Sequence, residues 1–172
     1  MKTLGIALTS FIIYLLAAGN ILASTFSLSP WKTIIPSGDI VPVDLKINTN
    51  NESINGVSAY LSYPGDKIEV EWITYSEAFS VQAEESYGNG IIKISRGSFT
   101  GATGNVTIAT VGFKGKAIGE AVVSFVDGSF APRTSDSSDS LNLSGSTGAT
   151  FTVVQSEVQP TAYFCFLLEC LL

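Results

Sequence analysis

The chain has 172 residues, a formal net charge of −6 and no histidine. The lack of histidine excludes Ser-His-Asp and Cys-His catalysis and histidine-ligated zinc, and an acidic chain without a Lys/Arg cluster lacks the electrostatic footprint of nucleic-acid binding. Both cysteines, Cys165 and Cys170, lie near the C-terminus, so no disulfide framework holds the body of the chain.

The first 23 residues have the layout of a secretory signal. Lys2 is the charged start, an apolar run covers 4–18, and small residues lead to Ala23 and Ser24. The run is short for a transmembrane helix, although an uncleaved membrane anchor is the alternative. We expect an exported chain, secreted or attached to a cell surface, with no nucleic-acid partner.

From residue 25 the sequence alternates between short apolar-periodic segments and Gly, Pro, Asn or Ser turns, which is typical of an all-β sandwich. Pro42 favours an edge position for its strand, and the nearly continuous apolar segment 121–126 predicts a strand covered on both sides. Segments 97–104 and 131–148 are predicted loops. The nine predicted strands are 25–29, 40–48, 57–63, 68–74, 78–84, 91–95, 105–114, 121–126 and 149–154.

Residues 55–70 are central to this prediction, because their pattern is typical of a β-hairpin. Pro64 and Gly65 suit a type II turn, in which the glycine takes the positive φ, and the return strand begins at Ile68. An inward apolar row of this kind needs a second sheet to cover it. The inward row on the first strand is Val57, Ala59, Leu61 and Tyr63.

Residues 155–172 do not continue the strand pattern. The apolar stretch 163–172 contains Glu169 and is too short to span a bilayer. We expect a tail outside the fold, or a truncated linker.

Three passages carry a resemblance to a known family. They are NGVSAYLSYPGDKIEV at 55–70, ATVGFKGKAIGEAVVSF at 109–125 and GATFTV at 148–153. In this order they resemble the cohesin domain, the extracellular β-sandwich module of cellulosome scaffolds. The passages are similar to its Leu-x-Tyr strand with proline turn, its Phe-Lys-x-Lys strand with glycine turn, and its closing Gly-x-Val-x-Val strand. The usual Tyr-Asp-Pro turn is replaced here by Tyr63-Pro64-Gly65-Asp66.

The resemblance implies a nine-stranded jelly-roll β-sandwich over residues 25–154. It implies a non-catalytic module that docks a dockerin-type partner through one sheet face, in polysaccharide degradation or surface assembly. The fold is also close to that of cellulose-binding modules, so the alternative is a carbohydrate-binding module that stacks polysaccharide on exposed aromatics. A surface-layer or adhesion repeat is a third possibility. We expect a monomer.

The outward row of the first hairpin strand, Ser58, Tyr60 and Ser62, is the predicted partner-binding site. Tyr60 is a large aromatic residue in a row of small polar ones, which suits a binding hot spot. The alternative is a tyrosine covered by a neighbouring loop or strand.

Two further groups of side chains are candidate ligand sites. Tyr63, Trp72 and Tyr75 predict a glycan-stacking strip, unless they close the end of the core. Asp127, Asp136 and Asp139 could coordinate calcium, although their spacing matches no EF-hand and a solvated loop explains them equally well. No other cofactor is expected.

Paired carboxylates do not indicate an enzyme. Glu69 and Glu71 share one strand, and Glu84 and Glu85 are adjacent. A glycosidase needs two carboxylates that face each other across a sugar. We therefore expect no catalysis.

Overall fold

The computed structural model describes residues 23–156. Residues 1–22 of the predicted signal segment 1–23, and residues 157–172 of the predicted tail 155–172, lie outside the described residues. Two short 3-10 turns cover Glu77–Phe79 and Leu143–Gly145. The strands are β1 (Thr25–Ser29), β2 (Lys32–Pro36), β3 (Ile40–Asn48), β4 (Ile54–Ser62), β5 (Ile68–Tyr75), β6 (Val81–Gly88), β7 (Ile91–Ala102), β8 (Asn105–Gly115), β9 (Gly119–Phe125) and β10 (Ala149–Val154).

The strands form two sheets that pack face to face. The four-stranded sheet has the order β1-β3-β8-β5, and the six-stranded sheet has the order β2-β10-β9-β4-β7-β6. All pairings are antiparallel except that of β2 with β10. The predicted all-β sandwich is confirmed. The described residues hold ten strands and not nine, because the sequence pattern did not reveal β2.

Aromatic side chains join the two sheets in the core. Phe113 of β8 lies 5.4 Å from Phe151 of β10, measured between ring centroids, and forms a T-shaped pair with Tyr63 at 6.1 Å. Phe26 of β1 stacks on Phe125 of β9 at 5.4 Å. Burying such a ring stabilises the fold by roughly 1.5–3 kcal/mol, so these contacts hold the sheets together.

The predicted hairpin is wrong, because its two strands belong to different sheets. β4 pairs with β7 and β9, whereas β5 pairs with β8. The connection is a tight turn in which the N–H groups of Lys67 and Ile68 both donate to the carbonyl of Pro64, at 2.9 and 3.1 Å. Gly65 does not have a positive φ, so the turn is not type II. The inward row of β4 is nevertheless buried as predicted, since both strands face the same core.

Several other local predictions need correction. A 3-10 turn occupies the start of the predicted strand 78–84, and β7 extends to Ala102 through the predicted loop 97–104. β9 is covered on one face only, because Val122 is 49% exposed between two buried neighbours. β3 is an interior strand. Pro42 is tolerated there because β1 pairs only with residues 44–48, which leaves Pro42 without a ladder on that side.

Among residues 23–156, no helix has the length and apolar character needed to cross a membrane.

Candidate partner-binding face

The predicted partner-binding residues lie on the outer face of the six-stranded sheet. From Val57 onward β4 alternates, so its apolar residues point into the core and its polar ones point away. Across the ladder Ser58 faces Ser95, Tyr60 faces Lys93 and Ser62 faces Ile91. We call this surface the Tyr60 face. Its members are Ser58, Tyr60, Ser62, Glu84, Lys93, Ser95 and Ser124.

The side chain of Tyr60 is held from several directions. Its hydroxyl donates to Glu84 Oε2 at 2.6 Å, and Lys93 Nζ lies 5.2 Å from the ring centroid. The same lysine approaches Glu84 Oε1 at 4.0 Å. One edge of the ring lies against Gly128, where a Cβ atom would be 2.7 Å from the Tyr60 ring. Tyr60 is therefore half-buried and fixed in position.

The hydrogen bond to Glu84 also sets the electrostatics of the face. It raises the pKa of the Tyr60 phenol above its ordinary value, and a hydrogen bond with Ser95 partly offsets the effect. The phenol therefore stays protonated and acts as a donor throughout the physiological range.

Small polar residues surround Tyr60. Ser58 Oγ and Ser95 Oγ are 2.9 Å apart, and Ser62 faces Ser124 of β9. These short side chains leave the tyrosine ring as the largest group on the central strand. Larger apolar groups stand at the margin, since Ile91 is 41% exposed and Phe130 is 38% exposed.

Sequence reasoning missed Phe130 and the pairing of Glu84 with Tyr60. Phe130 lies at the margin of the Tyr60 face because two backbone hydrogen bonds, of 2.7 and 2.8 Å, connect it to Ser58. The Asn-Gly turn at residues 89 and 90 could have placed Glu84 opposite β7. It could not have placed β7 beside β4.

The predicted glycan strip is not assembled. Tyr63 is only 7% exposed and points into the core. Tyr75 points inward too, with the Arg96 guanidinium 3.9 Å from its ring centroid. A bulge between Val70 and Trp72 turns Trp72 to the outer face of the four-stranded sheet.

The predicted calcium ligands are not brought together either. Within residues 23–156 no cluster of three acidic or cysteine side chains could hold a metal ion. Asp136 Oδ1 accepts from the hydroxyl and then from the N–H of Ser138, and these hydrogen bonds lower the pKa of Asp136. Asp139 Oδ1 accepts from the N–H groups of Ala131 and Leu141. These aspartates cap their own loop.

No protein-family model matches the sequence, and no curated protein matches it. Solved structures do. A non-cellulosomal cohesin from the archaeon Archaeoglobus fulgidus is similar over 78% of this chain and 94% of its own, with 19% identity and a TM-score of 0.64. The chain has the cohesin fold. The resemblance of the three sequence passages is thereby confirmed at the level of fold.

Two bacterial cohesins match comparably. The sixth cohesin of the Acetivibrio cellulolyticus scaffoldin B, solved in complex with a dockerin, has 15% identity and a TM-score of 0.64, over 77% of this chain and 99% of its own. A cohesin module from a Clostridium perfringens family 33 glycoside hydrolase has 13% identity and a TM-score of 0.61, over 78% and 97%. In this chain the cohesin fold presents two broad sheet faces, and the Tyr60 face is one of them.

Proposed function

We propose that this chain is a secreted, non-catalytic module that docks a dockerin-type protein partner through the Tyr60 face. The observation that carries the proposal is the fixed tyrosine on the cohesin fold, bonded to Glu84 and bordered by serines. The setting would be polysaccharide degradation or surface assembly, with the chain acting as an adaptor.

The geometry of Tyr60 suits a hot spot of protein binding. Hot spots are enriched in tyrosine and lie near the centre of an interface. Because Glu84 and Gly128 already hold the ring, little side-chain entropy would be lost on binding. The surrounding serines are short enough to let a partner approach the ring closely, and their hydroxyls can donate or accept hydrogen bonds.

The solved cohesins support this class of partner. The Acetivibrio cellulolyticus cohesin was solved with a dockerin, and so was a cohesin named CaCohA2 at 14% identity. Their low identity to this chain leaves the specific dockerin open, since fold alone does not determine function. The signal-like segment 1–23 supports export, and the absence of histidine together with the carboxylates engaged in ion pairs supports a non-catalytic role.

Isothermal titration calorimetry of the purified chain against a panel of dockerin modules tests the proposal. Tyr60→Ala should weaken binding by about thirtyfold, which corresponds to a hot spot of about 2 kcal/mol. Tyr87→Ala is the matched control, because Tyr87 is 44% exposed but pairs with the buried Ile92 and so does not belong to the Tyr60 face. If no dockerin binds, or if both variants bind like the wild type, the proposal fails.

A further inference from the structure

The outer face of the four-stranded sheet carries one exposed aromatic side chain in an unusual position. A Cβ atom at Gly112 would lie 2.4, 2.6 and 2.8 Å from Cε2, Nε1 and Cδ2 of Trp72. Near-equal distances to three atoms around the ring fusion mean that the face of the indole, and not its edge, covers Gly112. Since a Cβ on an outward position points away from the sheet, the indole lies flat on the sheet.

The opposite face of the indole is open to solvent. Trp72 is 37% exposed, whereas Gly112 beneath it is buried. The ladder places Pro42 of β3 beside Gly112, so the row across the sheet is Pro42, Gly112, Trp72. Gly112 has no side chain, and Pro42 has only its compact apolar ring. We call this row the Trp72 platform.

Polar side chains flank the platform on both sides. The next row in one direction pairs Lys114 with Glu69, and the next row in the other pairs Thr110 with Asp44. Lys114 Nζ lies 3.8 Å from Glu69 and 3.6 Å from Glu71. The hydroxyl of Thr110 donates to Asp44 Oδ1 at 2.8 Å. Hydrogen-bonding groups therefore border a flat apolar surface.

The charges around the platform balance. Lys46 pairs with Asp44 at 3.3 Å, and Lys116 pairs with Glu69 at 3.5 Å. With Lys114, three lysines match three carboxylates, namely Asp44, Glu69 and Glu71. A surface of an acidic chain that is locally neutral favours a neutral ligand over a charged one.

We infer that the Trp72 platform binds a neutral polysaccharide by stacking one pyranose ring on the indole. A pyranose has a flat face of C–H groups that packs on an aromatic ring, and its hydroxyls project sideways. Those hydroxyls would meet the carboxylates, the lysines and Thr110 that flank Trp72, all of which can form hydrogen bonds. A protein partner is less well matched, because Trp72 is the only aromatic side chain on this face among residues 23–156.

The platform and the Tyr60 face lie on opposite sheets, which gives the chain two binding surfaces that do not overlap. A polysaccharide on one sheet leaves the other free for a protein. The domain would then hold a protein partner on a glycan. The glycan site itself does not depend on the function proposed for the Tyr60 face.

Affinity electrophoresis of the purified chain in gels containing hydroxyethylcellulose, xylan or galactomannan tests the site. At least one of these polysaccharides should retard the wild type. Trp72→Ala should weaken the affinity at least tenfold. Gly112→Ala keeps the tryptophan but lifts the indole off the sheet, so it should weaken the affinity as well. Trp31→Ala removes a tryptophan that lies just before β2 and is 64% exposed, and this variant should match the wild type.

Circular dichroism and thermal unfolding of each variant separate loss of the site from loss of the fold. The inference is overturned if none of the three polysaccharides retards the wild type, or if folded Trp72→Ala is retarded equally. Calorimetry with dockerins uses no glycan, so failure of that experiment leaves this result standing. If both ligands bind, adding a saturating dockerin should leave the retardation by the glycan in place; competition would overturn the independence of the two surfaces.

Discussion

The ring of Tyr60 lies directly against the Cα of Gly128, in the loop that follows β9. A Cβ atom at Gly128 would stand 2.7 Å from Cδ2 and 2.8 Å from Cε2 of the tyrosine. The glycine has a φ of +93°, a conformation that other residues adopt only with strain. A glycine is therefore required at position 128 for two separate reasons: the backbone conformation favours glycine, and the Tyr60 ring leaves no room for a Cβ atom.

Gly128→Ala should therefore cost more stability than backbone strain alone. Gly38 is a matched control, because its φ is +94° and nothing lies within 4 Å of its missing Cβ. We expect Gly128→Ala to be more destabilising than Gly38→Ala by about 1 kcal/mol or more, as overpacking costs roughly 1–3 kcal/mol. Urea unfolding of both variants measures the difference.

A second experiment identifies the cause of the extra stability loss in Gly128→Ala. In a Tyr60→Ala background the ring is absent, so Gly128→Ala should cost no more than Gly38→Ala. A double-mutant cycle gives the coupling between positions 60 and 128. Equal costs for the two glycine variants in the wild-type background would show that Tyr60 does not rest on Gly128.

Two carboxylates of β6 should act on two different tyrosines. The hydrogen bond to Glu84 raises the pKa of Tyr60, while burial and then the neighbouring Glu85 raise the pKa of Tyr75. Glu84→Gln should lower the pKa of Tyr60 and leave that of Tyr75 unchanged. Glu85→Gln should lower the pKa of Tyr75 and leave that of Tyr60 unchanged. NMR titration of ring-labelled tyrosine measures both. A common shift in both variants would mean that the effect is not local.

The inward rows were predictable from the sequence because side-chain alternation is a local property of a strand. Val57 and Leu61 are buried because alternate residues of a strand point to the same face of the sheet. The partner of a strand is not local. The turn at Pro64 and Gly65 suits a hairpin and also a crossing between sheets, and only the pairing of β5 with β8 decides between them.

The two candidate surfaces show the same limit. The direction of Trp72 depends on the bulge after Val70. No residue type in that stretch predicts the bulge. Because of it, the Trp72 side chain points outward, whereas Tyr63 and Tyr75 point into the core. The contact of Tyr60 with Glu84 spans 24 residues and needs the registers of β4, β6 and β7 together. Sequence placed Tyr60 on an outward row, and tertiary pairing supplied its partners.

Phe113 should be among the most stabilising side chains, because it contacts Phe151 across the sandwich and Tyr63 beside it. Phe113→Ala should destabilise the chain by about 3–5 kcal/mol through lost burial and the cavity left behind. Phe99→Ala is the control of equal chemistry, since Phe99 is 91% exposed and should change the free energy of unfolding by less than about 0.5 kcal/mol. Guanidinium unfolding monitored by tryptophan fluorescence compares them. Similar losses in the two variants would contradict the packing described for β8.

The hydroxyl of Tyr75 is buried and makes no hydrogen bond of normal geometry among the described residues. Its pKa is raised first by burial and then by the nearby Glu85 carboxylate. A raised pKa in the folded state means that the stabilising contribution of the neutral phenol is complete below the unfolded value of about 10. That contribution is lost as the pH rises from there through the folded pKa. The wild type should therefore lose stability in strongly alkaline solution, and Tyr75→Phe should lose less over the same range.

At neutral pH Tyr75→Phe should be neutral or slightly stabilising, because it removes an unsatisfied hydroxyl and keeps the ring under Arg96. Urea unfolding at a series of pH values tests both statements, with Tyr87→Phe as the exposed control. A clear destabilisation of Tyr75→Phe at neutral pH would mean that the hydroxyl has a hydrogen-bond partner after all, such as Glu85 or an ordered water.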